Sequence, residues 1–131
     1  MKLRSGFVSN SSTSSFILKG FVLSKDDISL ENLVEKLNIG SNESEDINFY
    51  LYEYLREYFD KKDLSILINS EDGAPNNSIV IGSMLQDTEY ELMDMVIDFE
   101  LDNKLIEQKQ LLESVVGKEL PVRIIVGTRC C

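Results

Sequence analysis

The sequence predicts an α+β fold: a mixed sheet of about four strands with helices packed on one face. Two observations carry that prediction. Four short β-type runs occur along the chain, one pair separated only by turn residues and the others by stretches with helical periodicity. Apolar residues make up 43% of the 131 positions, enough for the core of one domain of this length. No repeat or linker divides residues 1–131, so they read as a single domain with a Ser-rich leader at 1–15.

In that leader, six of the seven residues from Ser9 to Ser15 are Ser or Thr, flanked by Phe7-Val8 and by Phe16-Ile17-Leu18. Hydroxyls need hydrogen-bond partners when buried, whereas the flanks are apolar. The run is therefore expected as an ordered surface loop, with Phe7-Val8 packed on the domain. Phe16 to Leu23 then forms the first strand, with Lys19-Gly20 marking a bulge or twist.

Asp26, Asp27 and Ser29 supply a helix start. Leu30, Leu33, Val34 and Leu37 follow on one face, and Gly40 is suited to the left-handed position past the helix end. A second helix is predicted over Ile47–Lys62, with Ile47, Leu51, Tyr54, Leu55 and Tyr58 facing the core and Phe49 and Tyr52 outside that stripe. Its aromatics do not read as a base-stacking platform, because Glu53, Glu57 and Asp60 replace the cationic groove such sites require.

Leu64–Asn69 and Ser78–Ser83 read as a hairpin joined by a solvated loop, Ser70 to Asn77. Glu71-Asp72-Gly73 lacks the ligand spacing of a calcium loop. Gln86–Val116 reads as the longest helical region, capped by Asp87 or Thr88. Leu92, Met95, Val96 and Phe99 form one face, which Leu101, Leu105, Leu112 and Val116 continue after a kink or break at Asp102-Asn103. Gly117 closes it. Pro121 opens a last strand, Val122–Val126, whose near-continuous apolar character predicts a central position in the sheet.

The formal charge is −10 and the chain has no histidine. The commonest general base and metal ligand is thus missing, and no carboxylate pair stands out as acid and base. Catalytic residues, a metal and a cofactor are accordingly not assigned, and a non-enzymatic role is expected. The cysteines are the final pair, Cys130 and Cys131, with no positioned partner for nucleophilic chemistry. Neither a signal peptide nor a long apolar run is present, so a cytoplasmic location without membrane contact is expected.

Residues 1–25 hold four bases and no acid, residues 26–60 ten acids against Lys36 and Arg56, and residues 87–100 six acids and no base. Direct nucleic-acid binding is not expected of so acidic a chain. A basic protein surface is the expected partner, met by Glu53 and Glu57 on one helix and by Glu91, Asp94 and Asp98 on another, the last two spaced i, i+4. A solubilising acidic face would have the same composition. Separately, Arg4, Ser9, Ser11 and Ser12 are candidates for cradling a phosphate, although no Gly-Lys-Ser/Thr follows Gly6.

As a string, Arg4-Ser5-Gly6-Phe7-Val8-Ser9-Asn10-Ser11-Ser12-Thr13-Ser14-Ser15-Phe16-Ile17 resembles the Lys/Arg-x-Gly-Phe-Val-Ser-Asn-Ser-Ser-Ser-Ser-Ser-Phe-Ile/Val opening of many small uncharacterised proteins of bacteriophages and bacterial mobile elements. Thr13 is the departure from that pattern. The resemblance covers about the first 18 residues and brings no activity with it. It implies a phage- or mobile-element-encoded protein acting in a bacterial host. In that setting the expected function is a binding protein that inhibits a host or defence protein through its acidic surfaces. The alternatives are a virion or assembly component, or a nucleotide- or phosphate-binding protein using the leader.

Overall fold

The computed structural model describes residues 14–38, 47–70, 72–88 and 93–129, with residues 47–50 described as helical backbone only. Its four strands are β1 (Ser14–Ser24), β2 (Ser65–Leu67), β3 (Ser78–Thr88) and β4 (Arg123–Arg129), in the spatial order β2-β3-β1-β4. Three helices, α1 (Leu30–Lys36), α2 (Ile47–Asp60) and α3 (Asn103–Val116), complete the α+β fold. The predicted leader contacts of Phe7-Val8, and Arg4, Ser9, Ser11 and Ser12, lie outside the described residues. Ser14 and Ser15, expected in a loop, instead belong to β1 and pair with Arg129 and Thr128.

All three strand pairings are antiparallel, which corrects the expected mixed sheet. The helical connection from β3 to β4 does join two strands of the same direction. Those strands are not neighbours, because β1 lies between them and runs against both. A crossover helix predicts parallel strands, and it leaves open what is inserted between them.

The two faces of β1 hold two cores. Phe21 and Leu23, with Ile66, Ile79 and Ile81 of the neighbouring strands, meet the helices through Leu33, Val34, Leu51, Leu55, Phe59, Leu105 and Leu112. Phe16 and Leu18 face the other way, where they cluster with Leu67, Val80 and Ala74. This two-sided burial explains why Phe16 to Leu23 is apolar almost throughout. The expected irregularity at Lys19-Gly20 falls elsewhere: the register against β3 shifts between Ile17 and Leu18, leaving Leu85 as the extra residue. Gly20 and Gly82 face each other across β1 and β3, and a Cβ on Gly20 would come within 2.5 Å of the Gly82 Cα. The two glycines thus permit a close approach of the strands.

Local signals set the helix ends. Ser29 caps α1 by accepting the Asn32 N–H, and Asp102 caps α3 by accepting the Leu105 N–H. The left-handed residue after α1 is Asn38 (φ 58°), ahead of the predicted Gly40, which lies outside the described residues. Gly117 takes that conformation after α3 (φ 86°). In α2 the buried stripe is Leu51, Leu55 and Phe59, with Tyr52 and Tyr58 packed at its edges. Phe59 therefore takes the core place assigned to Tyr58, and Tyr52 lies closer to the core than its predicted place outside the stripe implied.

The β2–β3 connection is solvated only in part: Ser70 and Pro75 to Asn77 are exposed, whereas Asp72 and Gly73 are half-buried and Ala74 is buried. Asp72 is its organising residue: one carboxylate oxygen accepts the N–H groups of Ile68 and Asn69, and the other accepts the Tyr52 hydroxyl at 3.0 Å. Asn69 returns the bond through its side-chain oxygen to the Asp72 N–H. Burial, followed by the adjacent Asp72 carboxylate, raises the Tyr52 phenol above its ordinary pKa. Beyond this turn, Ala74 is buried and Gly73 (φ 98°) lies so close to the Phe16 ring that a side chain there would collide with it. A Gly at 73 is needed on both counts. The connection thus covers the sheet face opposite the helices.

Candidate interaction surface

The largest departure from the predicted elements generates the candidate surface. The helix expected over residues 88–116 exists only as α3, from Asn103 to Val116; β3 runs on to Thr88, and residues 93–102 form no regular structure. The break predicted at Asp102-Asn103 is in fact the helix start. Residues 93–100 form a strap held to the sheet by two side chains.

At one end, Gln86 makes a reciprocal pair with Met93, accepting its N–H at 3.1 Å and donating to its carbonyl at 3.0 Å. The same amide reaches the Met95 sulfur at 3.4 Å. At the other end, the Lys19 ammonium donates to the carbonyls of Asp98 (3.2 Å) and Glu100 (2.6 Å) and pairs with an Asp98 carboxylate oxygen at 3.3 Å. Carbonyls two residues apart point the same way in extended chain, so a single ammonium can gather both. A helix would need those carbonyls for its own bonds. Lys19 itself is largely sunk, with 14% of its side chain exposed. The Glu100 N–H, and after it Lys19, hold the Asp98 carboxyl below its ordinary pKa.

What the strap leaves outside is unusual. Val96 is 100% exposed, Met93 74% and Phe99 62%, interleaved with the exposed acids Asp94, Asp98 and Glu100. The helical stripe of Leu92, Met95, Val96 and Phe99 therefore does not form, and Leu92 lies outside the described residues. Asp94 and Asp98 are not an i, i+4 pair on a helix. Asp98 is engaged by Lys19, whereas Asp94 projects from the irregular strap. Glu91 lies outside the described residues. Glu53 and Glu57 sit one turn apart on the exposed side of α2, where they line a shallow recess with Tyr54, Arg56 and Asp60. The predicted acidic residues thus occupy two separate elements.

Sequence reasoning missed Lys19 and Gln86 as anchors. The available signal was a lone lysine within the apolar run Phe16 to Leu23, facing a chain with acids at Asp98 and Glu100. No group of three or more Cys, Asp or Glu residues among the described residues is placed to hold a metal ion. No helix among them is long and apolar enough to cross a membrane. Neither a family model, nor a curated protein, nor a solved structure matches the chain.

Proposed function

We propose that this is a non-enzymatic protein-binding domain, encoded by a phage or mobile element, that inhibits a host or defence protein. The observation that carries the reading is the strap, where Met93, Val96 and Phe99 stand exposed between Asp94, Asp98 and Glu100. Exposed apolar side chains bring binding energy when a partner covers them, and neighbouring acids select a basic rim and steer the encounter. The partner that suits this surface is an apolar groove edged by Lys or Arg. Glu53 and Glu57 on α2 offer a second acidic contact.

The test is a pull-down from bacterial host lysate with the wild-type chain and with a Met93→Ser, Val96→Ser, Phe99→Ser variant, read by mass spectrometry. The expected result is a partner captured by the wild type, lost with the variant and released as salt rises. Equal capture by both chains would reject the strap as the binding surface.

A further inference from the structure

The side-chain amide of Gln86 has two N–H donors, and the main chain of the strap uses one of them. Its oxygen accepts the Met93 N–H and its nitrogen donates to the Met93 carbonyl, which closes the reciprocal pair. The second N–H is left for the Met95 sulfur, 3.4 Å from the same nitrogen. A thioether is a weak acceptor. The anchor at this end of the strap therefore has one firm tie and one weak tie.

The weak tie is also the oxidisable one. Met95 is 41% exposed, so small aqueous oxidants reach its side chain. Met93 is more exposed, yet it joins the anchor through its main chain alone. Met84 is half-buried and packs against the core on the sheet face opposite the helices. Among the described methionines, Met95 is thus the one whose sulfur takes part in holding the strap.

We propose that Met95 is a redox modification site, at which hydrogen peroxide converts the thioether to the sulfoxide and strengthens the Gln86 anchor. The sulfur forms a bond to one peroxide oxygen as the O–O bond breaks. It loses two electrons, and the proton on the transferred oxygen passes to the leaving hydroxyl, which departs as water. The new oxygen is a stronger acceptor than the sulfur, and an amide N–H is already directed at it. The flexible bonds of the methionine let the side chain draw back until that oxygen stands at hydrogen-bonding distance. Methionine sulfoxide reductases reverse the step.

In a core, a sulfoxide disrupts packing. Met95 instead lies at the surface beside a donor, so the added polarity is accommodated. A firmer anchor fixes the strap in the arrangement that displays Val96 and Phe99, which lowers the ordering cost of binding. That consequence rests on the strap being the binding surface; the modification site itself does not.

The test uses the full chain with Met93→Leu, which removes the more exposed sulfur and keeps the main-chain pair. It is treated with dilute hydrogen peroxide, and the sulfoxide is located by peptide mass mapping. The expected result is a sulfoxide at Met95, a downfield shift of the Gln86 side-chain amide protons, and amide exchange at residue 93 slowed about fivefold. Methionine sulfoxide reductase should restore the original rate. A Met95→Leu chain oxidised at Met93 should show neither change. Unaltered or faster exchange at residue 93 once Met95 is oxidised would overturn the proposal, as would slowing of equal size in a Gln86→Ala chain. So would oxidation of Met84 ahead of Met95. Exchange is read on the chain alone, so these outcomes stand apart from any failure to capture a partner.

Discussion

Two irregular segments lie over the two faces of the same sheet, and they do opposite things with their side chains. The β2–β3 connection folds inward: Ala74 is buried, Gly73 lies on the Phe16 ring, and Asp72 ties the turn to Ile68, Asn69 and Tyr52. The strap from Met93 to Glu100 is held by Gln86 and Lys19, polar side chains that grip it largely through its main chain and leave Met93, Val96 and Phe99 outside. Composition alone misassigns both, since the polar connection looks solvated and the apolar strap looks buried. Small residues can approach a sheet closely where larger ones cannot, and a main chain fixed by side-chain donors leaves its own side chains free. The first arrangement contributes to the fold, and the second leaves surface for a partner.

The largest test of this contrast is at the ring that the connection covers. Phe16→Ala should lower unfolding free energy in urea by about 3–5 kcal/mol, because a fully buried ring leaves a cavity between Ala74, Leu18 and Val80. A loss under 1 kcal/mol would mean that the connection does not cover the second core. Asp72→Ala should cost about 1–3 kcal/mol, since the half-buried Tyr52 hydroxyl and the Ile68 N–H lose their acceptor. Its amide-exchange signature should be confined to residues 68–74.

The strap should respond to pH rather than to truncation. Asp98 has a lowered pKa, so its contribution is present above the ordinary carboxylate value of 3.8 and is lost as pH falls through the lower folded value. Amide protection over residues 93–100 should fade in that acid window while β1 stays protected, and Asp98→Asn should remove the dependence. An unchanged profile in the variant would show that the main-chain bonds to Lys19 suffice. The smallest effect is expected for Met93→Ser with Val96→Ser, which should shift stability by no more than about 0.5 kcal/mol because both side chains are already in water. A substantial loss of stability would mean that the strap's apolar side chains are packed after all.

Much of the local structure was legible in the residues. The apolar spacing of Leu33, Val34 and Leu37, the caps Ser29 and Gly117, the helix boundary at Asp102-Asn103 and the β2–β3 hairpin all follow from signals acting within a few positions. Of the candidate surface, the acidic character of Asp94, Asp98, Glu53 and Glu57 was readable, and its arrangement was not. Leu92, Met95, Val96 and Phe99 matched a helix because periodicity records a spacing and says nothing of competing hydrogen bonds from Gln86 and Lys19.

By itself, then, the sequence determined α1, α2, the Asn103–Val116 part of the last helix and the hairpin, because caps, turn residues and amphipathic stripes work through neighbouring atoms. The tertiary structure alone decided that β1 separates β3 from β4, that an apolar strand stands at the edge, and that Gly73 and Ala74 of a polar connection, rather than the strap's apolar side chains, pack against the sheet. Each of those outcomes depends on which distant segment occupies a given face, and an apolar side chain favours burial without specifying the neighbour that provides it.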